Sequence, residues 1–260
     1  MAKTEAGKQK DSFVDTVRTV IYAVLIAVVF RTLLFQPFWI PSGSMKSTLL
    51  IGDYLFISKY SYGYSKHSFP WSLGPFSGRL FGSTPERGDV IVFKHPRTNE
   101  DYIKRLVGLP GDRLQMKSGV LYINDVAAKQ EKIGFFIEDI DPARTQCFER
   151  REVDGETRCV KEAYRETLPE GRAYTVLNAD DNQRRDADNT KVFTVPEGQF
   201  FFMGDNRDNS SDSRIQGSRG VGYVPYENIV GRAEIIAISS DGPFYEVWNW
   251  RWGRFLTVIR

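Results

Sequence analysis

One stretch limits what this chain can fold into before any other feature does. From Val20 to Phe30 every residue is apolar or tyrosine, and the apolar character extends with interruptions from Phe13 to Phe35. A helix needs about 20 residues to cross a bilayer. The stretch reaches that length by including Arg18 and Arg31, which lie near its two ends, where long side chains snorkel to the headgroups. Lys3, Lys8 and Lys10 precede it, so residues 1–12 are expected on the cytoplasmic side, 13–36 as a membrane helix, and the remainder on the far side. The residues that follow, Leu33-Leu34-Phe35-Gln36-Pro37-Phe38-Trp39, offer no pair of small residues for a signal-peptide cut, so the span reads as an uncleaved anchor. A buried core helix is the alternative for so short a run. Pro37 has no amide proton and is expected to end the helix.

Beyond the anchor the chain punctuates into short apolar runs. Tyr54 to Tyr60, Asp89 to Phe93, Asp101 to Val107, Gly119 to Asp125, Phe200 to Met203 and Ile229 to Ser239 each read as strands. Residues 61–88 are rich in Gly, Ser, Pro and aromatics and predict a long loop or twisted ribbon. From about 113 to 197 short strand candidates alternate with charged stretches, the most polar being Asp180 to Asn189. The fold class expected is mainly β: an antiparallel body (37–112 and 198–260), a smaller inserted β domain (113–197) and one N-terminal transmembrane helix. In Pro243 to Arg260, Phe244, Trp248, Trp252, Phe255 and Ile259 recur with the period of a helix, lying either in the headgroup layer or against the β core.

A net charge of +2 with no long Lys/Arg run sets nucleic acid aside as a partner. Cys147 and Cys159 form no C-x-x-C pair, and His67 and His95 are distant from both, so no metal and no cofactor are expected. On the far side of a membrane the two cysteines are either joined or remain two buried thiols.

Two polar features stand out against this background. Pro41-Ser42-Gly43-Ser44-Met45 places serines a few residues beyond the anchor, and a serine attacks only when a base removes its proton. Neither histidine sits in a motif aimed at a serine, and there is no G-x-S-x-G turn. Lys104 lies in Tyr102-Ile103-Lys104-Arg105-Leu106-Val107, where alternation puts Tyr102 and Leu106 on its own face. An amine among apolar side chains loses its proton more readily, because burial disfavours the ammonium. An edge-strand lysine with its head in water is the bland alternative. Gly204 to Arg214 is far more polar than a turn requires; a calcium loop fails there, since neither Asp205 nor Asp208 is followed by Gly at the sixth and Glu at the twelfth position.

These motifs, with Gly52-Asp53, Arg87-Gly88-Asp89-Val90 and Leu109-Pro110-Gly111-Asp112, resemble in content and order the boxes of the bacterial type I signal peptidases. The resemblance covers most of the chain beyond the anchor, although 113–197 matches little. It implies a membrane-bound serine endopeptidase that removes signal peptides from exported preproteins after small residues, of the Ala-X-Ala type, with a Ser/Lys dyad, held in the cytoplasmic membrane against phospholipid with its body on the outer, periplasmic side. Residue by residue it implies Ser44 as nucleophile and Lys104 as general base. Ser42, with the Ser44 amide, would form the oxyanion hole, and Ser210 would orient the lysine. Asp205 with Arg105, and Asp212 with Arg214, would be supports. Phe38, Ile40, Pro41, Met45, Leu49, Tyr102 and Ile103 would line shallow substrate pockets. The chain departs from the family pattern at Ser47, where a proline is usual; no catalytic group is lost by that change.

Overall fold

The computed structural model describes residues 2–140, 147, 149–178, 185–217 and 220–260, so residues 180–184 of the polar stretch lie outside the described residues. Helix α1 runs from Ala2 to Leu33. Its apolar part, Phe13–Leu33, is long enough to cross a bilayer, and apart from Thr32 its described side chains are exposed. Side chains such as Phe13 (70% exposed) and Ile26 (69%) therefore have no protein partner. A core helix would bury such a face; this one leaves it exposed.

The helix ends at Leu33 and the chain enters a strand before Pro37, not after it. Strand β1 (Phe35–Trp39) pairs antiparallel with β2 (Asp53–Ser58), with Pro37 opposite Phe56. The missing amide of Pro37 is tolerated because β1 is the outermost strand of its sheet. A ribbon of β3 (Tyr64–Ser65) and β4 (Arg79–Leu80), with short 3-10 turns between them, occupies much of the 61–88 stretch. Strands β5 (Val90–Lys94) and β6 (Asp101–Gly108) follow as an antiparallel pair.

Residues 113–197 build two further sheets. Strands β7 (Arg113–Lys117), β8 (Val120–Ile123) and β9 (Val126–Ala127) form one with a later strand. The other comprises β10 (Lys129–Glu138), β11 (Arg150–Val153), β12 (Glu156–Thr167) and β13 (Ala173–Asn178). Strand β14 (Phe193–Thr194) closes the first on β7. Cys147 and Cys159 are joined, with Cα atoms 5.5 Å apart. In the chain-entropy account a loop this short stabilises the fold by about 3 kcal/mol.

Strands β15 (Gln199–Met203), β16 (Val224–Pro225), β17 (Ile229–Ser239) and β18 (Thr257–Val258) complete the large sheet. Its order is β1-β2-β17-β5-β6-β15-β16, with β18 on β17 and every pairing antiparallel. The expectation of a mainly β protein behind one apolar helix is borne out.

Three apolar clusters hold these layers. One packs Ile40, Met45, Leu49, Leu55 and Ile103 with Val90, Val92 and Ile236. A second packs Phe93, Leu106, Phe200 and Phe202. The third joins Val107, Phe201 and Met203 of the large sheet to Leu114, Met116, Leu121, Tyr174 and Phe193 of the inserted region. Each such fully buried side chain contributes roughly 1.5–3 kcal/mol, so the inserted sheets are bound to the body by a shared core.

The helical period at the C-terminus does not become a helix. Residues 243–260 form two 3-10 turns, Val247–Asn249 and Trp252–Arg254, and then β18 on β17. Gly253 weakens any helix there. Tertiary contacts hold the alternative: Trp250 packs against Phe244, Trp252 and Phe255, and Arg254 reaches back to the buried Asp53, donating to it from Nη2 at 2.6 Å.

Candidate active site

The turn carrying Ser44 is the connection between β1 and β2. Ile40 donates to the Asp53 carbonyl at 2.9 Å, and Gly52 donates back to the Ile40 carbonyl at 3.0 Å, closing the loop at its base. Gly52 has φ +88°, and a Cβ there would meet the Ser240 carbonyl, so this turn needs glycine. The Asp53 carboxylate accepts from the Leu50 amide at 2.8 Å. Inside the loop, Gly43–Met45 form a single 3-10 turn in which Ser44 and Met45 are buried.

Lys104 arrives from β6. Its Nζ donates to Ser44 Oγ at 2.6 Å and to the Ile103 carbonyl at 3.0 Å. The lysine is 4% exposed and the serine 7%. Burial is the largest influence on the amine and brings its pKa down from 10.5 to about 8, although Asp212 and Asp205 pull the other way. Ser42 Oγ lies 3.4 Å from Ser44 Oγ on the exposed side of the turn.

The polar loop that follows β15 supports both groups. Asn206 donates from its amide to the Ser44 carbonyl at 3.1 Å and from Nδ2 to the Gly43 carbonyl at 2.8 Å. Asp205 accepts two hydrogen bonds from Arg105, 2.8 Å from Nε and 2.7 Å from Nη2, with both side chains about 1% exposed. The Arg105 guanidinium also lies over the Tyr174 ring, 4.0 Å from its centre. Asp212 accepts from Arg214 Nε and Nη2, both at 2.9 Å, and from the Gly204 amide at 3.0 Å. Its carboxyl is held below the ordinary range by Arg214 and these donors despite full burial, and Ser210 hydrogen-bonds to it as well. Two like-sized fork pairs at one loop fix its backbone, because a buried arginine–carboxylate pair tolerates little displacement.

The residues expected to line substrate pockets divide into groups. Ile40, Met45 and Leu49 are wholly buried in one cluster with Ile103, and Phe38 packs against it. Tyr102 is on the other face of β6, stacked on Phe93 and His95 and with its ring 5.5 Å from the Lys104 amine. Pro41 is exposed. His67 Nδ1 contacts Ser72 Oγ at 2.9 Å, and His95 Nδ1 accepts from the Arg97 and Thr98 amides, so each histidine is engaged in a local turn. Among the described residues no group of three or more His, Cys, Asp or Glu is placed to hold a metal.

Several contributors had no role assigned from the sequence. Asn206 lies inside the polar motif, and only its position there signals it. Arg207, also of that loop, pairs with Glu166 of β12, and Glu166 accepts from Tyr174 Oη at 2.8 Å and Gln130 Nε2 at 3.0 Å. Lys46, beside the serine turn, pairs with Glu138, which also accepts from Lys161 at 2.7 Å. No local pattern announces contacts between residues so far apart in the chain.

A serine and a desolvated amine in hydrogen-bond contact, buried in an antiparallel β body behind an apolar helix, are the features of a serine hydrolase. A sequence model described as signal peptidase, peptidase S26 matches residues 13–238, and the chain belongs to that family. The signal peptidase I of Rickettsia typhi is 42% identical over 228 residues, covering 84% of this chain and 78% of the relative. That of Rickettsia prowazekii is 41% identical over the same length and coverage. A crystal structure of a signal peptidase I from Enterococcus faecalis matches with 27% identity and a TM-score of 0.31, covering 58% of this chain and 97% of its own.

Proposed function

We propose that this chain is a membrane-anchored endopeptidase that cleaves signal peptides from exported preproteins through a Ser44/Lys104 dyad. The contact that carries this reading is the 2.6 Å hydrogen bond between a buried Lys104 amine and Ser44 Oγ. A neutral Lys104 takes the Ser44 proton as the oxygen attacks the scissile carbonyl, and the ammonium so formed gives the proton to the departing amine. Water then enters by the same route and releases the acyl group. The oxyanion is stabilised by the Ser44 amide and the Ser42 hydroxyl; a donor of this kind is worth about 3 kcal/mol. Ser210, hydrogen-bonded to Asp212, orients the lysine, while Asp205–Arg105 and Asp212–Arg214 support the loop.

By the family resemblance, Phe38, Ile40, Pro41, Met45, Leu49, Tyr102 and Ile103 shape shallow substrate pockets, with Ile40, Met45 and Leu49 acting from the buried layer beneath the turn. Small residues at the first and third positions before the cut fit such space and large ones overlap it. Phe13–Leu33 holds the body at the bilayer, with 1–12 in the cytoplasm and the body on the outer side, where 37–112 and 198–260 form the catalytic unit and 113–197 its inserted partner. Cleavage of a preprotein by the detergent-solubilised chain tests the dyad. Lys104→Ala is expected to lose nearly all turnover with the fold intact, and retained turnover would sink the assignment.

A further inference from the structure

A polar cavity lies where the last turn of α1 meets the β body, lined by none of the residues of the Ser44 turn. It has a volume of about 210 Å³ and is walled by Arg31 and Thr32 of the last turn of α1, by Lys59 and Lys94, and by His67 and Trp71 of the adjoining turns. The β3 ribbon closes onto this end of the helix, with Tyr64 Oη donating to the Leu33 carbonyl at 2.7 Å.

The cavity carries more cation than anion. Lys59 is 2% exposed, yet among the described residues its ammonium meets one acceptor, the Ser68 carbonyl at 2.6 Å, and no carboxylate. Buried ammonium groups are otherwise paired. Arg31 has no ion pair among the described residues, and Lys94 shares the cavity's one carboxylate, Asp101, at 3.0 Å. The count over these four groups is three positive charges against one negative. Thr32 is 6% exposed and its hydroxyl has no hydrogen-bond partner among the described residues, so an unused polar atom lines the same space. Burial, with Arg31 and Lys94 adding to it and Asp101 opposing it, brings the Lys59 pKa down to about 8; an incoming anion would act in the same sense as Asp101. His67 is held below its ordinary value by burial and by Lys66 and Lys94, leaving its ring a neutral wall.

We propose that this cavity, walled by Arg31, Thr32, Lys59 and Lys94 at the end of the membrane helix, binds a phosphate group. Arginine and lysine donors with a hydroxyl match a tetrahedral oxyanion, and the arginine fork adds a bidentate contact. Trp71 lines the cavity while 88% exposed, as an aromatic side chain does at a membrane interface. The phosphate is therefore that of a lipid headgroup or a free one. The lipid source rests on the anchored reading proposed above; the phosphate chemistry does not.

The test uses the full chain in detergent micelles, which require no bilayer insertion. Thermal unfolding is followed with phosphatidylcholine, with phosphatidylglycerol, and with inorganic phosphate in lipid-free micelles. Ligand in about tenfold excess over its dissociation constant raises the midpoint by roughly 3–5 °C in a chain of this size. A rise with phosphatidylglycerol alone assigns the site to a lipid headgroup, and a rise with inorganic phosphate as well shows that the phosphate suffices. Lys59→Met and Arg31→Gln are each expected to lose most of the rise; the second keeps the comparison available if the first does not fold. No rise with any phosphate, or an equal rise in wild type and both variants, overturns the proposal. Incorporation into phosphatidylcholine bilayers, measured separately, tests the anchor alone.

Discussion

Arg207 and Glu166 form a buried ion pair: their side chains are 3% and 0% exposed. The arginine belongs to the loop that holds the Ser44 turn, and the glutamate to β12 of the inserted region. Through this pair, and through Arg105 on Tyr174, the inserted sheets brace the loop that supports Ser44 and Lys104.

Breaking that pair from one side leaves an uncompensated buried charge. Glu166→Gln is expected to cost about 3–5 kcal/mol, because Arg207 keeps its charge and loses its partner. Urea denaturation measures this directly. A double variant, Glu166→Leu with Arg207→Met, is expected to recover much of the loss, and failure to recover would show that the pair does more than neutralise itself.

The pH dependence follows from Lys104. In the proposed dyad Lys104 is the base and acts only when neutral, and burial brings its pKa down to about 8. The kcat/KM for a preprotein is therefore expected to rise with pH through about 8 and to flatten above it. A profile already flat from pH 6 upward would mean that the base is a different group.

The same burial has a price in stability. Between about pH 8 and the unfolded value near 10.5 the unfolded chain holds a proton that the folded chain has released, so wild-type stability rises with pH across that window. Below pH 8 the full penalty for the buried amine is present. Lys104→Met removes it and is expected to raise stability at pH 7 by about 2–3 kcal/mol while abolishing cleavage. Paired denaturation curves at pH 7 and pH 10 check both the size and the sign.

Ser42 tests the oxyanion assignment separately from the base. Its hydroxyl lies 3.4 Å from Ser44 Oγ and on the open side of the turn. Ser42→Ala is expected to lower kcat by roughly 10²–10³ with little change in KM, since a donor that acts on the transition state leaves ground-state binding alone.

Gly204 is needed for space, not for a left-handed backbone. A Cβ on it would lie 2.3 Å from Ser210 Oγ and 2.5 Å from the Ser44 carbonyl. Gly204→Ala is expected to push the Ser44 turn away from the polar loop and to lose activity well before it loses the fold. Near-ultraviolet circular dichroism beside the cleavage rate separates the two effects.

By itself the sequence determined the layout of this protein and the identity of its chemical groups. The apolar run before Leu33, the alternation around Lys104 and the polar density from Gly204 to Arg214 are local patterns, and local patterns survive being read one window at a time. The C-terminal segment shows where such reading stops. A helical period in Phe244, Trp248 and Trp252 was outweighed by Gly253, by strand pairing with β17 and by the Arg254–Asp53 contact, none of which lies in the period itself. Tertiary structure alone decided that Lys104 reaches Ser44 across 60 residues of chain, that Cys147 meets Cys159, and that Glu166 neutralises Arg207. It also left Lys59, Arg31 and Lys94 around one cavity. The reason is dielectric as much as geometric: a residue's charge and reactivity depend on what displaces water from it, and that is set by segments distant in sequence.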